Sequence, residues 1–489
     1  MSRRRARSTG LTTMEQVRAV FRLPALYQLG ALVERRPVGR PAEFPPYLLL
    51  AYGVLARVFR SGARVEIELA QADSWSVIVD TVEQMRRERP DLEIPAPPRR
   101  APGWDAYKYA RNRRFTAPEV LEDLCEEFTE LAVAQAQDAG LLRADGPGSL
   151  CHPHRSRVVY GDGTVVSPLY RPPAAKRVKE EDGSTRTVYL DAAGNEIDAP
   201  RKRHDPDSAE HHGHTGPVHG QNFVGLYARG DGPHQRIVLA VDRVPRPGAE
   251  AETAVALFKR VHDVAGSGIQ AAVYDGAWRG RHINDVMETC GVVVINKVHS
   301  TSRSPGRRRT TPAEGNPRWY ALGTWEHDTA SGPCTHTLAA VDGAVSEVGL
   351  DAEGAPVVLA RLVRRQVKRP RRKNGRYHFT AGYTVPCPAG EFLAWITPHP
   401  QHEGDTGRPD AVRLIAEGED DFKNLFPLRS DSESHNSGFK RTLLVDRAAS
   451  LGGRRQLLDF LCFGLLTNAL TAHHAAAAAN SAAPLRLAA

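Results

Sequence analysis

Three carboxylates, Asp162, Asp275 and Glu433, stand in local contexts suited to holding a hard divalent cation. Asp162 lies in Tyr160-Gly-Asp-Gly-Thr164, at the end of a short β-rich run. Asp275 lies in Val273-Tyr-Asp-Gly-Ala-Trp278, again at a strand end and again followed by glycine. An acid there escapes the apolar core yet stays fixed by the sheet, while glycine lets backbone and ligand approach closely. Asp-Gly is also a common turn dipeptide, so either pair read alone describes a plain turn as well. Glu433 lies in Phe426-Pro-Leu-Arg429-Ser-Asp-Ser-Glu433-Ser-His-Asn-Ser-Gly-Phe-Lys440. At ~100° per residue, a helix through this stretch gathers Phe426, Arg429, Glu433 and Lys440 on one face. That face would offer a metal-ligating carboxylate flanked by two cations suited to phosphate oxygens. The plain alternative is a surface helix with an Arg429–Glu433 pair, worth roughly 0.2–0.5 kcal/mol.

The elements that must position these residues change character along the chain. Residues 1–146 read as a helical domain. Thr12 with Glu15, and Thr116 with Glu119, have capping-box spacing, each opening an amphipathic stretch. The second stretch sets Val120, Leu121, Leu124, Phe128, Leu131 and Ala132 on one face. An apolar helix spans Tyr47 to Phe59, and Val65 to Arg87 holds one or two more. A DNA-binding role suits this Arg- and Pro-rich region, and Gly39-Arg40-Pro41 resembles the core of a minor-groove hook. After Pro147 come short β-rich runs at Arg157–Tyr160, Phe223–Tyr227, Arg236–Val241, Gln270–Tyr274 and Val292–Ile295. Helical runs at Ala249–Val264 and Ile283–Glu288 separate the last three, which predicts a mixed α/β layer over residues 147–298. A charged, Gly-, Pro- and His-rich segment at about 171–218 reads as a mobile surface insertion between the first two strands. Residues 299–420 read as β-rich, with turn signals at Asp342-Gly343 and Asn374-Gly375. Helices return over 421–475, and 476–489 reads as a fraying Ala-rich tail.

Composition narrows the partners. Lys and Arg number 65 against 57 Asp and Glu, a formal charge of +8 that favours a polyanion such as nucleic acid. Two basic runs fall in the β-rich stretch: Arg307–Arg309, and Arg364-Arg365-Gln-Val-Lys368-Arg369-Pro-Arg371-Arg372-Lys373. The second is suited to tracking a DNA backbone by charge, or to being a solvated hairpin. Met1-Ser-Arg-Arg-Arg-Ala-Arg7 is a solvated tail or a phosphate-contacting arm, and no apolar region follows it to make a secretory signal. No run approaches the ~18 apolar residues of a membrane span, so a membrane partner is not expected. The six cysteines are scattered, with no CxxC pair, which suggests a cytoplasmic setting and no obvious zinc ribbon. Cys151-His-Pro-His154 and His211-His-Gly-His214 fit no compact finger and read as surface histidines. Gly161-Asp-Gly-Thr164 is similar to a phosphatase nucleophile loop, but the nucleophile's place is taken by Tyr160. No phosphate-binding G-x-x-x-x-G-K-[ST] loop occurs.

The spacing Arg429-x3-Glu433-x6-Lys440 resembles part of the Tyr-Arg-Glu-Lys signature of bacterial insertion-sequence DDE transposases. The likeness covers about residues 147–475 and leaves the helical start unexplained. It implies an RNase H-like mixed-sheet core with a β-rich insertion before the helix carrying the glutamate. In that family the first two aspartates lie on the first and fourth core strands, the places Asp162 and Asp275 occupy here. The family tyrosine is Phe426, which keeps the ring but lacks the hydroxyl. By this resemblance Asp162, Asp275 and Glu433 are the catalytic, metal-binding residues, holding two Mg2+ or Mn2+ ions. Asp162 would bridge both ions, and Arg429 and Lys440 would grip phosphates of double-stranded DNA near the scissile bond. Water would free a 3′-hydroxyl at the transposon end, and that hydroxyl would then attack target DNA. Trp319, Trp325 and Trp395 lie in the insertion, where related enzymes stack an extruded base. Pairing of two ends implies a homodimer on DNA. The rival readings are a metal-dependent nuclease on the same core, which cuts without joining, and a catalytically silent DNA-binding descendant.

Overall fold

The computed structural model describes residues 10–34, 43–170, 174–180, 185–191, 193–198, 205–213, 216–298, 319–329, 332–403, 405 and 407–482. The basic amino-terminal arm, Gly39-Arg40-Pro41 and Arg307–Arg309 lie outside the described residues.

The chain begins with α1 (Thr13–Phe21), α2 (Pro24–Glu34), α3 (Pro46–Val58), α4 (Gly62–Leu69), α5 (Ala72–Glu88), α6 (Trp104–Ala110) and α7 (Pro118–Asp138). Thr12 caps α1 as its spacing predicts: the hydroxyl accepts from the Glu15 N–H, and the Glu15 carboxylate accepts from the Thr12 N–H at 2.7 Å. The second capping box does not form. Pro118 opens α7, where its missing N–H costs nothing, and the Thr116 hydroxyl donates instead to the Arg111 carbonyl at 2.8 Å. From Pro46 to Ala56 α3 is buried on every side, because it packs against α1, α2 and the last helix of the chain.

The central sheet is built from β1 (Val158–Val166), β6 (Gly216–Arg229), β7 (Arg236–Arg243), β8 (Ala271–Val273) and β9 (Val293–Ile295). The helix α8 (Glu250–Ala265) joins β7 to β8, and α9 (Gly280–Cys290) joins β8 to β9. β6 runs antiparallel to β1 and β7, whereas β1, β8 and β9 are parallel. The spatial order is therefore β7-β6-β1-β8-β9. β8 and β9 are apolar and buried throughout, although β9 is the edge of the sheet.

The segment read as a mobile insertion carries strands in its described parts. β2 (Ala174–Lys179), β3 (Thr185–Leu190) and β4 (Glu196–Ile197) form a small antiparallel sheet. β5 (Ala209–Gly213) pairs with the start of β6. Asp205, buried before β5, accepts hydrogen bonds from Gln456 and from the Gly452 N–H, so the segment is anchored to the carboxyl-terminal helix. Asp207 adds a second tie, accepting the Gly453 N–H at 2.8 Å; period and composition could not reveal contacts this distant in sequence.

The β-rich stretch holds two sheets. One is β10 (Trp319–Thr329), β11 (Gly332–Val341), β12 (Ala344–Leu350) and β13 (Pro356–Arg361); the other is β14 (Val363–Lys368), β15 (Thr380–Val385) and β16 (Phe392–Ile396). Asp342 and Gly343 both take positive φ in the two-residue turn between β11 and β12, the conformation that Asp-Gly signals. Then come α10 (Gly407–Ala411), α11 (Asp420–Leu425), α12 (Leu428–Arg441) and α13 (Gly453–Ala482). The Ala-rich end is not a frayed tail from His474: α13 stays helical to Ala482, as alanine's helix propensity favours. α13 also covers the edge of β7, where the Asn468 amide bonds both the N–H and the carbonyl of Val238.

Candidate active site

Register decides where the two aspartates stand. β1 and β8 are parallel, with Tyr160 beside Val273, so two residues further on Asp162 and Asp275 come level. Asp275 lies just past the end of β8, whereas Asp162 is not at a strand end but midway along β1, which continues to Val166 beside β6. Across the other ladder Asp162 faces Gly225, and the Tyr227 hydroxyl fills the space that a side chain there would take. Asp162 is only 8% exposed, and no hydrogen-bond donor among the described residues reaches its carboxylate. Asp275 is half-buried and fixed by its own turn, accepting the Ala277 N–H at 2.8 Å.

α12 packs over β1 and brings Arg429, Glu433 and Lys440 to this pair of aspartates. Burial pushes the Asp162 carboxyl up to about 7; Arg429 opposes the rise, and the charges of Asp275, Glu250 and Glu433 add to it. Lys440 is half-buried; desolvation lowers its pKa, and the Asp162 charge opposes the fall. Glu433 is exposed and turned onto Arg429, 2.9 Å from its guanidinium. The Nε of Arg429 is buried and makes no hydrogen bond. Asp162, Asp275 and Glu433 thus share one electrostatic neighbourhood, although their oxygens do not all come within 4.8 Å of one another. Mutual repulsion and the Arg429 pairing both act to hold Glu433 away.

A fourth acid, Glu250, belongs to this centre and was not legible in advance. It opens α8, where it accepts from the Asn222 amide at 2.7 Å and from the Tyr274 hydroxyl at 3.4 Å. Burial raises its pKa, with Asn222 opposing and Asp275 adding. Gly163 leaves the space that Glu250 fills here: a Cβ would lie 2.3–2.4 Å from the Glu250 carboxylate. An acid in the first turn of a helix signals only macrodipole stabilisation, so nothing local marked Glu250 as a site residue.

Two expectations about the carboxyl-terminal signature and the basic run are corrected. Phe426 does not share a helix with Glu433, because α11 ends at Leu425 and α12 begins after Pro427. Phe426 stacks on Phe422 at 4.7 Å, under the Lys297 ammonium. Arg364 is no phosphate contact: its side chain is 2% exposed, pairs with Glu419 at 3.0 Å and Asp421 at 3.5 Å, and donates to the Cys151 carbonyl. Alternation along β14 turns Arg364 inward and Arg365 outward. Arg365, Lys368, Arg371, Arg372 and Lys373 are exposed, and Arg369 is half-buried over the Tyr377 ring. Lys368 lies 3.8 Å over the Trp395 ring. His152 bonds Asp421 and His154 bonds Ser156, so these two histidines serve local contacts; His214 lies outside the described residues.

The fold and site define a mixed α/β protein with an acidic centre midway along one strand and just past the end of its parallel neighbour, faced by two cations from one helix. No family model matches the chain, and no curated protein matches it. No helix among the described residues is long and apolar enough to cross a membrane.

Proposed function

We propose that the chain is a DDE-type DNA transposase with an RNase H-like core, cutting and joining double-stranded DNA at Asp162, Asp275 and Glu433. The observation that carries this reading is the level placement of Asp162 on β1 and Asp275 just past its parallel neighbour β8, with Glu433, Arg429 and Lys440 brought over them by α12. Counted over the central sheet in chain order, Asp162 lies on the first strand and Asp275 two residues past the fourth, with a β-rich stretch before the glutamate helix. That is the arrangement the signature's resemblance implies.

The residues fit Mg2+ or Mn2+. All the donors are hard carboxylate oxygens, and among the described residues no hydrogen-bond donor reaches the buried Asp162 carboxylate. Bound there, two divalent cations supply an activated nucleophile and stabilise the leaving oxygen of a phosphodiester. Asp162 would hold both and Asp275 and Glu433 one each, with Glu250 keeping the local charge negative. The unpartnered Nε of Arg429 and the Lys440 ammonium would bind phosphate oxygens and orient the scissile bond. The exposed cations from Arg365 to Lys373 would track the DNA backbone. Two ends held together imply a homodimer on DNA.

The test is incubation of the protein with the DNA flanking its own gene and Mg2+ or Mn2+, with mapping of every nick and joined product. Nicks at element ends followed by joining support the transposase. Cutting without joining would make it a nuclease on the same core. No cutting by the folded, DNA-bound protein would leave a silent DNA-binding protein.

A further inference from the structure

We infer that the β-rich stretch contains a structural zinc site formed by Cys334, His336 and Cys387, with His327 as the fourth ligand. The ligand atoms of Cys334, His336 and Cys387 all lie within 4.8 Å of one another. Cys334 and His336 are two residues apart on β11 and so project from the same face, while Cys387 comes from the turn after β15. His327 stands directly across the ladder from Cys334, on that same face. Its ring stacks on Phe392 at 4.9 Å, and Phe392 also touches His336 at 5.2 Å. One aromatic ring of β16 therefore flanks both histidines.

The polar atoms are arranged as a soft cation would need. His336 Nδ1 is 2.6 Å from a Glu347 oxygen, which fixes the tautomer with Nε2 as the free acceptor. That Nε2 is buried and makes no hydrogen bond, and the same is true of His327 Nε2. Two unpartnered buried imidazole nitrogens beside two thiols are costly unless something binds them. The turn Cys387-Pro388-Ala389-Gly390 presents its sulfur as a thiolate would need. The Ala389 N–H points at it, and Gly390, at φ 126°, donates its N–H to the Cys387 carbonyl at 3.0 Å. Two thiolates and two imidazoles match tetrahedral Zn2+ and are poor ligands for Mg2+. Such a site would clip the four-stranded sheet to the three-stranded one, at a distance in sequence that neither hairpin spans alone. The inference does not depend on the transposase reading.

The experiment is metal analysis of the full-length protein, purified in reducing buffer without chelator and then reconstituted with zinc. The wild type should carry about one zinc per chain, as a closed four-ligand site holds. Cys334→Ser with Cys387→Ser should carry none, Cys151→Ser should keep it, and His327→Ala should lose it faster to a chelator. As a check independent of how the double variant folds, the wild type is also loaded with Co2+. Thiolate-to-cobalt charge-transfer absorption should appear and vanish on zinc addition. Zinc absent from the reconstituted wild type, zinc retained by the double variant, or a Cys334–Cys387 disulfide in the reduced preparation would each overturn the site.

Discussion

At the scale of single residues, Asp162 is where burial and charge act most strongly. Its carboxyl holds a proton up to about 7 when folded, against about 3.8 for the free side chain. The folded state therefore binds more protons between those values, so stability falls as pH rises from about 4 to about 7 and stays low above. Asp162→Asn removes that penalty. It should leave stability unchanged near pH 4 and raise it near pH 8 by up to about 4 kcal/mol. Urea melts at the two pH values check this, and an equal effect at both would refute a raised pKa. Glu433→Gln probes the chemistry instead. It keeps shape and helix while removing one ligand charge, so gel shifts with end DNA should match wild type. Nicking and joining of a labelled end should fall together by about a hundred- to a thousandfold, as loss of a main electrostatic contributor does. Cleavage near the wild-type rate by the folded variant would remove Glu433 from the catalytic set.

At the scale of elements, β14 divides the basic run into two populations with different predicted behaviour. Arg365, Arg371, Arg372 and Lys373 are exposed, and neutralising all four to Gln should weaken binding to every DNA sequence alike. The slope of log affinity against log salt should flatten by roughly 3–4 units. An unchanged slope would assign them to a solvated hairpin. Arg364→Ala should do the reverse. It leaves the Glu419 and Asp421 carboxylates without their cation, and should cost about 3 kcal/mol in chemical denaturation while leaving the salt slope intact. On α12, Asp431 is turned away from the cation-flanked centre into a buried network with Tyr160, Arg229 and Arg236. Those pairs pin the helix to β1, β6 and β7, and so help to place Glu433 over the two aspartates.

At the scale of the whole molecule, the acidic centre joins parts of the chain more than 270 positions apart, from β1 to α12. Asp162, Asp275, Glu250 and Glu433 repel one another, and this strain should be relieved by divalent cations acting on the folded state alone. Mg2+ at a hundredfold excess over its Kd should stabilise by about 2.7 kcal/mol, read as a rise in Tm. The rise should be larger above pH 7 than at pH 5, because Asp162 must lose its proton to bind. A rise that survives in Asp162→Asn with Asp275→Asn would place the cation elsewhere.

Local pattern was enough to locate the strands and helices that carry the site. The apolar runs ending at Asp162 and Asp275, and the period of α8, are written in adjacent residues, whose burial preference is itself local. Thr12 and Glu15 likewise sealed α1 without help from the rest of the chain. Where the determining contact is distant, the signal disappears. Glu250 joins the acids only because Gly163, on another element, leaves space for it. Arg364 is buried only because Glu419 and Asp421 meet it from α11 and its approach, and Cys334, His336 and Cys387 meet only through two separate sheets. Residue type and spacing therefore determined which groups were able to do chemistry. Tertiary packing decided which of them share a dielectric and a charge, because burial and Coulomb interaction depend on distance in space and not along the chain.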